Sequence, residues 1–445
     1  MSKNSNDHFF ENTTWLIGGQ VVRLIISFFI SVISTRYLGP ANRGVIDYVA
    51  SYIAFFTSII GLGINGVIIY ELVNNREENG TILGTAISFR FVTAIISLAA
   101  FFATVWIADG NDPMIWTVAM LQAVQLPFLC LDTINYWYQS RYESKYPVII
   151  QTIAYVVMSV YKVYLLASHK SMEWFAFSMS LDVSLIGILY LLLYWKQKGP
   201  RLRYSHATAK RLLRLAGPFI LANVMSVAYG QMDRIMIKQM LDSNTAVGLY
   251  STALNICALI SFIPIAILES GRPLVVEAKA KDDALYQLRF RQLCAAILWI
   301  CIFYSLAASL LARPIIYILY GTEFLDGSSC LRIGVWYTLF SYVGSAMHLW
   351  LLCENQNRYV LLFCTMGAVG NFIINFLLIP RWGINGAAFA TLITQVLSNF
   401  IFPFLFQATR PYSVNVLKAI FLKDVHVREV LSFAWNKVRM MCGRS

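Results

Sequence analysis

The segments RYLGPANRGVIDYVASY (residues 36–52) and KQMLDSNTAVGLYSTAL (residues 238–254) resemble two copies of one structural unit. Each turns a corner with an asparagine and small residues, then starts an apolar helix at a glycine and an aromatic residue. They lie about 200 residues apart, which corresponds to six predicted helices. Because six is an even number, the two halves of the chain would share one orientation, related by an axis along the membrane normal. Transporters with such repeats bind their substrate between the halves.

The amino-acid composition is that of a membrane protein. Of the 445 residues, 58% are hydrophobic and only 13% are charged, with a mean hydropathy of +0.61. Apolar runs follow one another from Thr14 to Phe406, and a helix needs about 20 such residues to cross the hydrocarbon core. The eight cysteines lack the paired spacing of metal or redox sites. The sequence therefore predicts an all-α polytopic membrane protein without a metal site.

Twelve transmembrane helices are predicted from the apolar runs. Most of the connections between them are short. The predicted spans cover residues 14–35, 45–71, 82–108, 114–138, 147–168, 173–195, 214–238, 246–271, 290–311, 331–353, 359–379 and 384–406.

The positions of lysine and arginine predict the orientation of these spans. Of the 35 basic residues, 24 fall in tails and loops on the side of the N-terminus, five on the opposite side and six within spans, when Arg214 and Arg291, at the very ends of their spans, are counted with the adjoining loops. The positive-inside rule then predicts that both termini are cytoplasmic. The net charge of +12 is explained by a basic collar facing anionic membrane lipids, and no nucleic-acid partner is needed to account for it.

The pattern divides the chain into two lobes joined by a linker. The tail alternates apolar and basic residues, which indicates an amphipathic helix along the membrane surface. The predicted segments are a cytoplasmic N-terminal tail (1–13), a lobe of spans one to six (14–195), a basic cytoplasmic linker (196–213), a lobe of spans seven to twelve (214–406) and a basic amphipathic cytoplasmic tail (407–445).

Basic residues inside the predicted spans are candidate ligands for an anion. Each costs about 2.5–3.5 kcal/mol at the bilayer centre, so each should face a cavity, a partner or the interface. Arg90 and Arg332 lie near span ends, where snorkelling to the interface is the alternative. The candidates for a basic, substrate-binding cavity are Arg23, Arg90, Lys162, Arg234 and Lys238.

Polar residues in spans one, two, seven and eight recur every three or four positions and so share one helix face. Close helix packing explains the small and hydroxyl residues in these stripes, but it does not explain the arginines and lysine. We therefore predict a cavity lined by these four spans. The stripes are Gly19, Arg23, Ser27, Ser31 and Ser34; Asp47, Ser51, Ala54, Ser58, Gly61 and Asn65; Asn223, Ser226, Gly230, Arg234 and Lys238; and Ser251, Asn255, Ala258, Glu269 and Arg272.

The basic residues suit an anionic ligand. An arginine can bind a phosphate through two parallel hydrogen bonds, and Arg234 and Lys238 point the same way because they are one turn apart. Asp233 is turned about 100° from Arg234, so it either pairs with a cation on another helix or takes up a proton or ion during transport. The polar or coupling candidates are Asp47, Asn65, Asp233, Asn255, Glu269 and Arg272, of which the last two can neutralise each other.

Several kinds of catalytic chemistry are not indicated by the sequence. There is no phosphate-cradling glycine-rich loop with a Lys-Ser/Thr pair, and His348 has no second metal ligand at a suitable spacing. No extramembrane segment is large enough for a catalytic domain. We therefore predict a transporter with no catalytic residues and no cofactor; a membrane glycosyltransferase or polymerase acting through a carboxylate such as Asp132 is the weaker alternative.

Three segments carry a resemblance to a known family: STRYLGPANRGVIDYVASYIAFFTSIIGLGINGVIIYEL (34–72), QMDRIMIKQMLDSNTAVGLYSTA (231–253) and RWGINGAAFATLI (381–393). The chain resembles the polysaccharide flippases of the multidrug/oligosaccharidyl-lipid/polysaccharide exporter superfamily, in particular the O-antigen (Wzx-type) group. The resemblance implies a V-shaped bundle of two six-helix lobes that alternates between inward-open and outward-open states. It also implies a cargo of short oligosaccharide linked through pyrophosphate to undecaprenol, carried across the bacterial inner membrane for O-antigen or capsular polysaccharide biosynthesis.

This resemblance does not decide the protein partners, the coupling ion or whether the chain is a flippase or a related multidrug exporter. The basic cleft would suit the pyrophosphate, and a polysaccharide polymerase and a chain-length regulator are the expected protein partners. A proton and Na⁺ are the candidate coupling ions, and the sequence does not choose between them. Ion-coupled multidrug exporters share the twelve spans but use acidic residues for cations, so Asp47 and Asp233 keep that alternative open.

Overall fold

The computed structural model describes residues 3–422, and its side chains from residue 26 onward except at positions 218, 219 and 222. This part of the chain is helical and contains no β-strand. The α-helices are α1 (Lys3–Gly61), α2 (Asn65–Asn74), α3 (Asn79–Asp109), α4 (Pro113–Ala123), α5 (Gln125–Phe128), α6 (Thr133–Ser140), α7 (Lys145–Ala167), α8 (Met172–Lys196), α9 (His206–Leu241), α10 (Asn244–Ala258), α11 (Phe262–Lys281), α12 (Asp283–Leu310), α13 (Ala312–Tyr320), α14 (Gly327–Gly334), α15 (Tyr337–Cys353), α16 (Arg358–Val396), α17 (Phe402–Leu405) and α18 (Arg410–Ile420).

Two of the long helices contain a sharp break at a glycine. α1 breaks at Gly39, where φ is +73°, and Pro40 follows directly. α16 breaks at Gly383, where φ is +56°, three residues after Pro380. Positive φ is accessible to glycine without a steric penalty, and proline cannot continue the hydrogen-bond ladder of the preceding helix. Each break separates two of the predicted spans.

Eight helical stretches of the described chain are long and apolar enough to cross a membrane. The stretches from residue 26 to 74 and from 358 to 405 each contain a break, so each covers more than one predicted span. Predicted span ten is shortened to α15, which has 17 residues. The number twelve and the orientation of the termini stay predictions. The eight stretches are Ile26–Asn74, Arg76–Asp109, Pro113–Ser140, Lys145–Ala167, Met172–Lys196, Asn244–Lys281, Asp283–Leu310 and Arg358–Leu405.

The described chain forms two compact units. The first contains the residues up to Gly248 together with Leu319–Glu323, and the second contains Leu249–Ile318 and the residues from Phe324 onward. The division therefore lies after α9 and not in the predicted linker at 196–213. The physical reason is that α9 packs along α1 and α3, which belong to the first unit.

The linker lies against α3 as an ordered strap. The Arg203 backbone N–H donates to the carbonyl oxygen of Gly80 (3.1 Å), and the Ser205 N–H donates to the hydroxyl of Thr85 (3.0 Å). A Cβ atom at Gly84 would stand 2.5 Å from the backbone of Arg203. Glycine is therefore required at position 84, where the strap crosses α3. The residue pattern of the linker alone does not predict this crossing.

Part of the predicted amphipathic tail is buried in the second unit. α18 packs against α12 and α15, and the Tyr412 hydroxyl donates to the carbonyl oxygens of Val343 (3.1 Å) and Asn399 (3.0 Å). One face of α18 thus packs on a core that includes Phe290 and Trp350, and its placement along the membrane surface stays a prediction. The rest of the tail, from residue 423, lies outside the described residues.

One ion-pair cluster of the first unit is expected to stabilise the fold measurably. Arg211 of α9 binds Glu71 (3.1 Å), which is only 5% exposed, and Glu78 (3.0 Å). In Arg211→Ala the buried carboxylate of Glu71 would still accept a hydrogen bond from Asn75, but it would lose the positive charge that compensates it. We expect the free energy of unfolding to fall by about 1–3 kcal/mol, seen as a lower midpoint of thermal unfolding in detergent.

Arg141→Ala is the matched control for this prediction. Arg141 pairs with Glu143 at 3.3 Å on the surface, with half of its side chain exposed. Exposed ion pairs contribute about 0–1 kcal/mol and the contact of Arg141 with the Trp137 ring (4.8 Å) about 0.5–1 kcal/mol, so this variant should lose less stability than Arg211→Ala. Equal midpoints for the Arg211 and Arg141 variants would contradict the structural role of the buried cluster.

Candidate functional site: a polar cavity in the first unit

The first unit contains a partly open cavity of about 520 Å³, within the size range of small-molecule binding sites. Its lining mixes small apolar residues with a high proportion of amide and charged side chains. The lining residues are Ala50, Ile53, Ala54, Thr57, Ser58, Ile60, Gly61, Asn65, Arg90, Gln122, Gln125, Leu129, Asp132, Tyr136, Met179, Asn223, Val227 and Gln231.

Helical spacing explains how one chain segment supplies much of the polar lining. From α4 to α6 the chain turns continuously through α5 and a 3₁₀ turn at Leu129–Asp132. Residues three and four apart lie on one face of such a helical run. The lining residues of this segment have that spacing: Gln122, Gln125, Leu129, Asp132 and Tyr136.

Arg90 of α3 is the central charge of the cavity. It is 4% exposed, and its guanidinium donates to the Thr133 hydroxyl (3.1 Å), the Asn65 side-chain oxygen (3.0 Å) and the carbonyl oxygen of Gly61 (3.3 Å). Gly61 ends α1, and its carbonyl oxygen also accepts from the Ile64 N–H (3.3 Å), so Arg90 adds a second donor to a carbonyl group at the helix end. The alternative of snorkelling to the interface does not describe this buried arginine.

Asp132 and Tyr136 complete the charged part of the cavity. The Arg90 guanidinium lies over the Tyr136 ring, 5.7 Å from its centroid, and the Tyr136 hydroxyl lies 3.5 Å from the Asp132 carboxylate. Arg90 also acts electrostatically on Asp132. Tyr136 therefore bridges a cation and a carboxylate that line the same cavity.

Amide side chains form the rest of the polar lining. Gln122 donates to the carbonyl oxygen of Ile46 (3.2 Å), Gln125 to that of Gln122 (2.9 Å) and Asn223 to that of Ser58 (3.3 Å). The side-chain oxygen of Gln122 is buried and has no hydrogen-bond partner within the described chain. Such a buried acceptor is costly unless a ligand or water satisfies it.

Of the predicted basic residues, Arg90 lines the cavity and Arg234 lies next to it. Arg234 is half-buried and donates to the side-chain oxygen of Gln231 (2.5 Å), which is a lining residue. Lys162 is outside the lining and interacts electrostatically with Asp182 and Arg43. The side chain of Arg23 lies outside the described residues.

Lys238 is placed at the end of α9 and is outside the cavity lining. It is 8% exposed and donates to the Asp242 carboxylate at 2.7 Å, which lowers the pKa of this exposed carboxyl below its ordinary value. Next to it, Gln239 donates to the Tyr48 hydroxyl (2.7 Å), and that hydroxyl donates to Asp109 (2.9 Å). The one-turn spacing of Arg234 and Lys238 therefore does not bring both charges to the cavity.

The polar and coupling candidates are distributed over several places. Asn65 lines the cavity. Asp47 is buried in a two-fold contact with Arg43 (2.8 and 2.9 Å). The remaining candidates lie outside the cavity lining: Asp233 is buried, Asn255 is half-buried, and Glu269 and Arg272 are exposed and pair with each other at 2.8 Å.

Sequence reasoning missed the amide residues of α4 and α5 and did not assign Asp132 to a site. A signal was present, because residues 122, 125, 129, 132 and 136 follow the same three-four spacing as the predicted stripes. Gln231 gave no such signal. It lies one turn before Arg234 but was not part of the predicted stripe in span seven.

Fold and site together define a multi-pass, all-helical membrane protein with a charged polar cavity inside one helical unit. The chain belongs to the family of polysaccharide biosynthesis proteins, whose family model matches residues 9–278. This confirms the predicted family. A curated relative, the capsular polysaccharide biosynthesis protein CapF of Staphylococcus aureus, is 21% identical over 402 residues, which is 86% of this chain and 96% of the relative.

Two solved structures have a similar fold. One is the lipid II flippase MurJ in an inward closed conformation, with a TM-score of 0.71 and 14% identity, covering 97% of this chain and 100% of that chain. The other is an inward-facing multidrug resistance transporter of the MATE family and the MOP superfamily, with a TM-score of 0.65 and 13% identity, covering 91% of this chain and 99% of that chain. At such low identity the two likenesses show the fold alone.

Proposed function

We propose that the protein is a flippase that moves an undecaprenyl-pyrophosphate-linked oligosaccharide repeat unit across the bacterial inner membrane by alternating access. The product would serve O-antigen or capsular polysaccharide biosynthesis. The observation that carries this proposal is the polar cavity around buried Arg90, in a chain of the polysaccharide biosynthesis family. The similarity of the chain to a capsular polysaccharide biosynthesis protein supports the same substrate class, and the fold that it shares with a lipid II flippase is compatible with it.

The cavity chemistry suits the two polar parts of such a substrate. Asparagine and glutamine side chains both donate and accept hydrogen bonds, as sugar hydroxyl groups do. The Arg90 guanidinium can bind phosphate oxygens, and in a low-dielectric site such a charged contact is stronger than in water. The polyprenyl tail can stay in lipid, so only the headgroup has to cross the protein.

The mechanism that we propose includes features beyond the cavity. It requires two six-helix lobes in a V-shaped bundle with both termini in the cytoplasm, so that the cytoplasmic leaflet is the loading side. A proton or Na⁺ gradient would supply the driving force. A polysaccharide polymerase and a chain-length regulator would receive the product on the other side, and anionic lipids would bind the basic collar.

An ion-coupled multidrug exporter is the second candidate function. It is favoured by the fold likeness to the multidrug resistance transporter and by one carboxylate, Asp132, in the cavity lining. This function would need a cavity that attracts organic cations. Arg90 beside Asp132 opposes that, because the two charges compensate each other.

The proposed function can be tested in proteoliposomes that carry a fluorescent undecaprenyl-pyrophosphate-linked oligosaccharide and receive an impermeant quencher. With the protein present, the quenched fraction should rise with time beyond the value for empty liposomes. The proposal would be overturned if protein-containing and empty liposomes gave the same fraction. Efflux of organic cations from the same vesicles would then favour the exporter.

Arg234→Ala is expected to abolish export of the lipid-linked glycan while the protein remains in the membrane. The variant removes a positive charge next to the cavity and releases Gln231, whose side-chain oxygen Arg234 holds at 2.5 Å. Quenching kinetics and membrane yield would be measured together. Arg313→Ala is the control, because this arginine is exposed and lies in the second unit. If the Arg234 variant transported the glycan at the wild-type rate, Arg234 would be excluded as a residue that acts on the substrate.

A further inference from the structure

We propose that Arg90 and Asp132 form a proton-linked anion site, in which the pyrophosphate of the substrate binds Arg90 together with a proton on Asp132. The inference rests on the proposed function and adds the coupling ion and the residue that carries it. No covalent bond changes. The Asp132 carboxylate takes one proton from solvent when the anion enters the cavity and returns it when the anion leaves.

Arg90 is held in place independently of Asp132. Its three hydrogen-bond acceptors come from the end of α1, the start of α2 and the start of α6. These contacts use three of the five N–H groups of a guanidinium, and a side-chain hydrogen bond with Tyr136 engages it further. The Nε atom is buried and has no acceptor within the described chain. The cation is thus pre-positioned at the cavity and retains donor capacity for an incoming oxygen.

Asp132 is the group that can change the charge of the site. The groups that act on it are Arg90 from α3 and Tyr136 from α6. The cavity lining contributed by the other packed elements carries no charge among the described residues. That lining includes Ser58 of α1, Gln125 of α5, Met179 of α8 and Gln231 of α9. Among the described lining residues, Asp132 is therefore the carboxylate whose protonation changes the net charge of the cavity.

The protonation state of Asp132 decides whether the cavity attracts an anion. With an ionised carboxylate, the Arg90 charge is compensated and an incoming phosphate meets a negative group beside it. With a protonated carboxyl group, one positive charge is left in a low-dielectric cavity, where its attraction for an anion is strong. Because linkage is reciprocal, an anion bound at Arg90 must raise the proton affinity of Asp132 by the same factor.

Calorimetry of the purified full-length protein tests the proposal, with a farnesyl-diphosphate-linked monosaccharide as the probe. Both phosphates of this diester lack the second ionisation of a terminal phosphate, so the probe itself neither binds nor releases a proton near neutral pH. Between about pH 5 and about pH 8, we expect a range in which affinity falls about tenfold per pH unit, as one-proton linkage requires. In buffers of different ionisation enthalpy, the wild type should take up about one proton per anion in that range. Asp132→Asn should bind with a flat pH profile and take up none.

Asp109→Asn is the matched control, since this carboxyl group of the same unit is hydrogen-bonded to Tyr48 and lies outside the cavity lining. It should keep the wild-type pH profile. Anion binding by the wild type with no proton uptake would overturn the proton linkage and leave the flippase proposal standing. No binding by the wild type at any pH would overturn both the linkage and the anion site. An unchanged pH profile in Asp132→Asn would exclude Asp132 as the proton carrier.

Discussion

Gly44→Ala is expected to prevent stable folding of the first unit, with most of the protein lost from the membrane fraction. A Cβ atom at this position would stand 1.8 Å from the carbonyl oxygen of Asn244 and 2.9 Å from the backbone nitrogen of Gly248. Both neighbours are backbone atoms, which cannot move aside as a flexible side chain can. Overpacking a well-packed site typically costs about 1–3 kcal/mol, and a contact with rigid backbone lies at or above the upper end. Membrane yield and the midpoint of thermal unfolding in detergent measure the effect.

Gly66→Ala is the control for this prediction, because a Cβ atom there meets nothing within 4 Å. It should express and unfold as the wild type does. Gly248→Ala should fail as Gly44→Ala does, since its Cβ atom would stand 1.9 Å from the carbonyl oxygen of Pro40. If both the Gly44 and the Gly248 variants were as stable as the wild type, the close packing of the two segments at these glycines would not contribute to the stability of the first unit.

Arg90→Met is expected to reduce glycan transport at least about tenfold, which corresponds to about 1.4 kcal/mol, and to lower the free energy of unfolding by about 3–5 kcal/mol. The substitution keeps a long side chain but removes the positive charge that the described residues contribute to the cavity lining. It also leaves Asp132 without its counter-charge and removes the donor to Gly61, Asn65 and Thr133. The quenching assay measures transport, and thermal unfolding measures stability.

A double variant separates the two consequences of losing Arg90. In Arg90→Met with Asp132→Asn, no uncompensated charge remains in the cavity, so part of the stability should return while transport stays low. Arg332→Met is the control for loss of an exposed arginine from the second unit and should behave as the wild type in both assays. Wild-type transport by Arg90→Met would exclude Arg90 as a ligand of the substrate.

The pseudo-repeat of the sequence and the glycine contacts of the structure describe the same place. The two similar segments include Gly44 and Gly248, and each glycine lies against the backbone of the opposite segment, at Asn244 and Pro40 respectively. The sequence comparison predicted two equivalent corners. It did not predict that the corners touch, because similarity between two segments contains no information on their distance.

The sequence by itself determined the membrane class, the helices and the corners between spans one and two and between spans eleven and twelve, which the structure places at Gly39 and Gly383. These features depend on hydropathy, on helical periodicity and on local backbone preference, all of which are properties of one segment. It also indicated the small and polar face that places Ser58, Gly61 and Asn65 at the cavity.

Only the tertiary structure decided which polar faces meet. It brought Arg90 to acceptors in three separate segments, joined Asp132 and the amide residues of α4 and α5 to the same cavity, and left Lys238 at the end of α9 with Asp242. The physical reason is that periodicity fixes the direction of a side chain around its own helix, whereas a site also requires the rotation and position of every neighbouring helix. Those are set by packing between segments far apart in the chain.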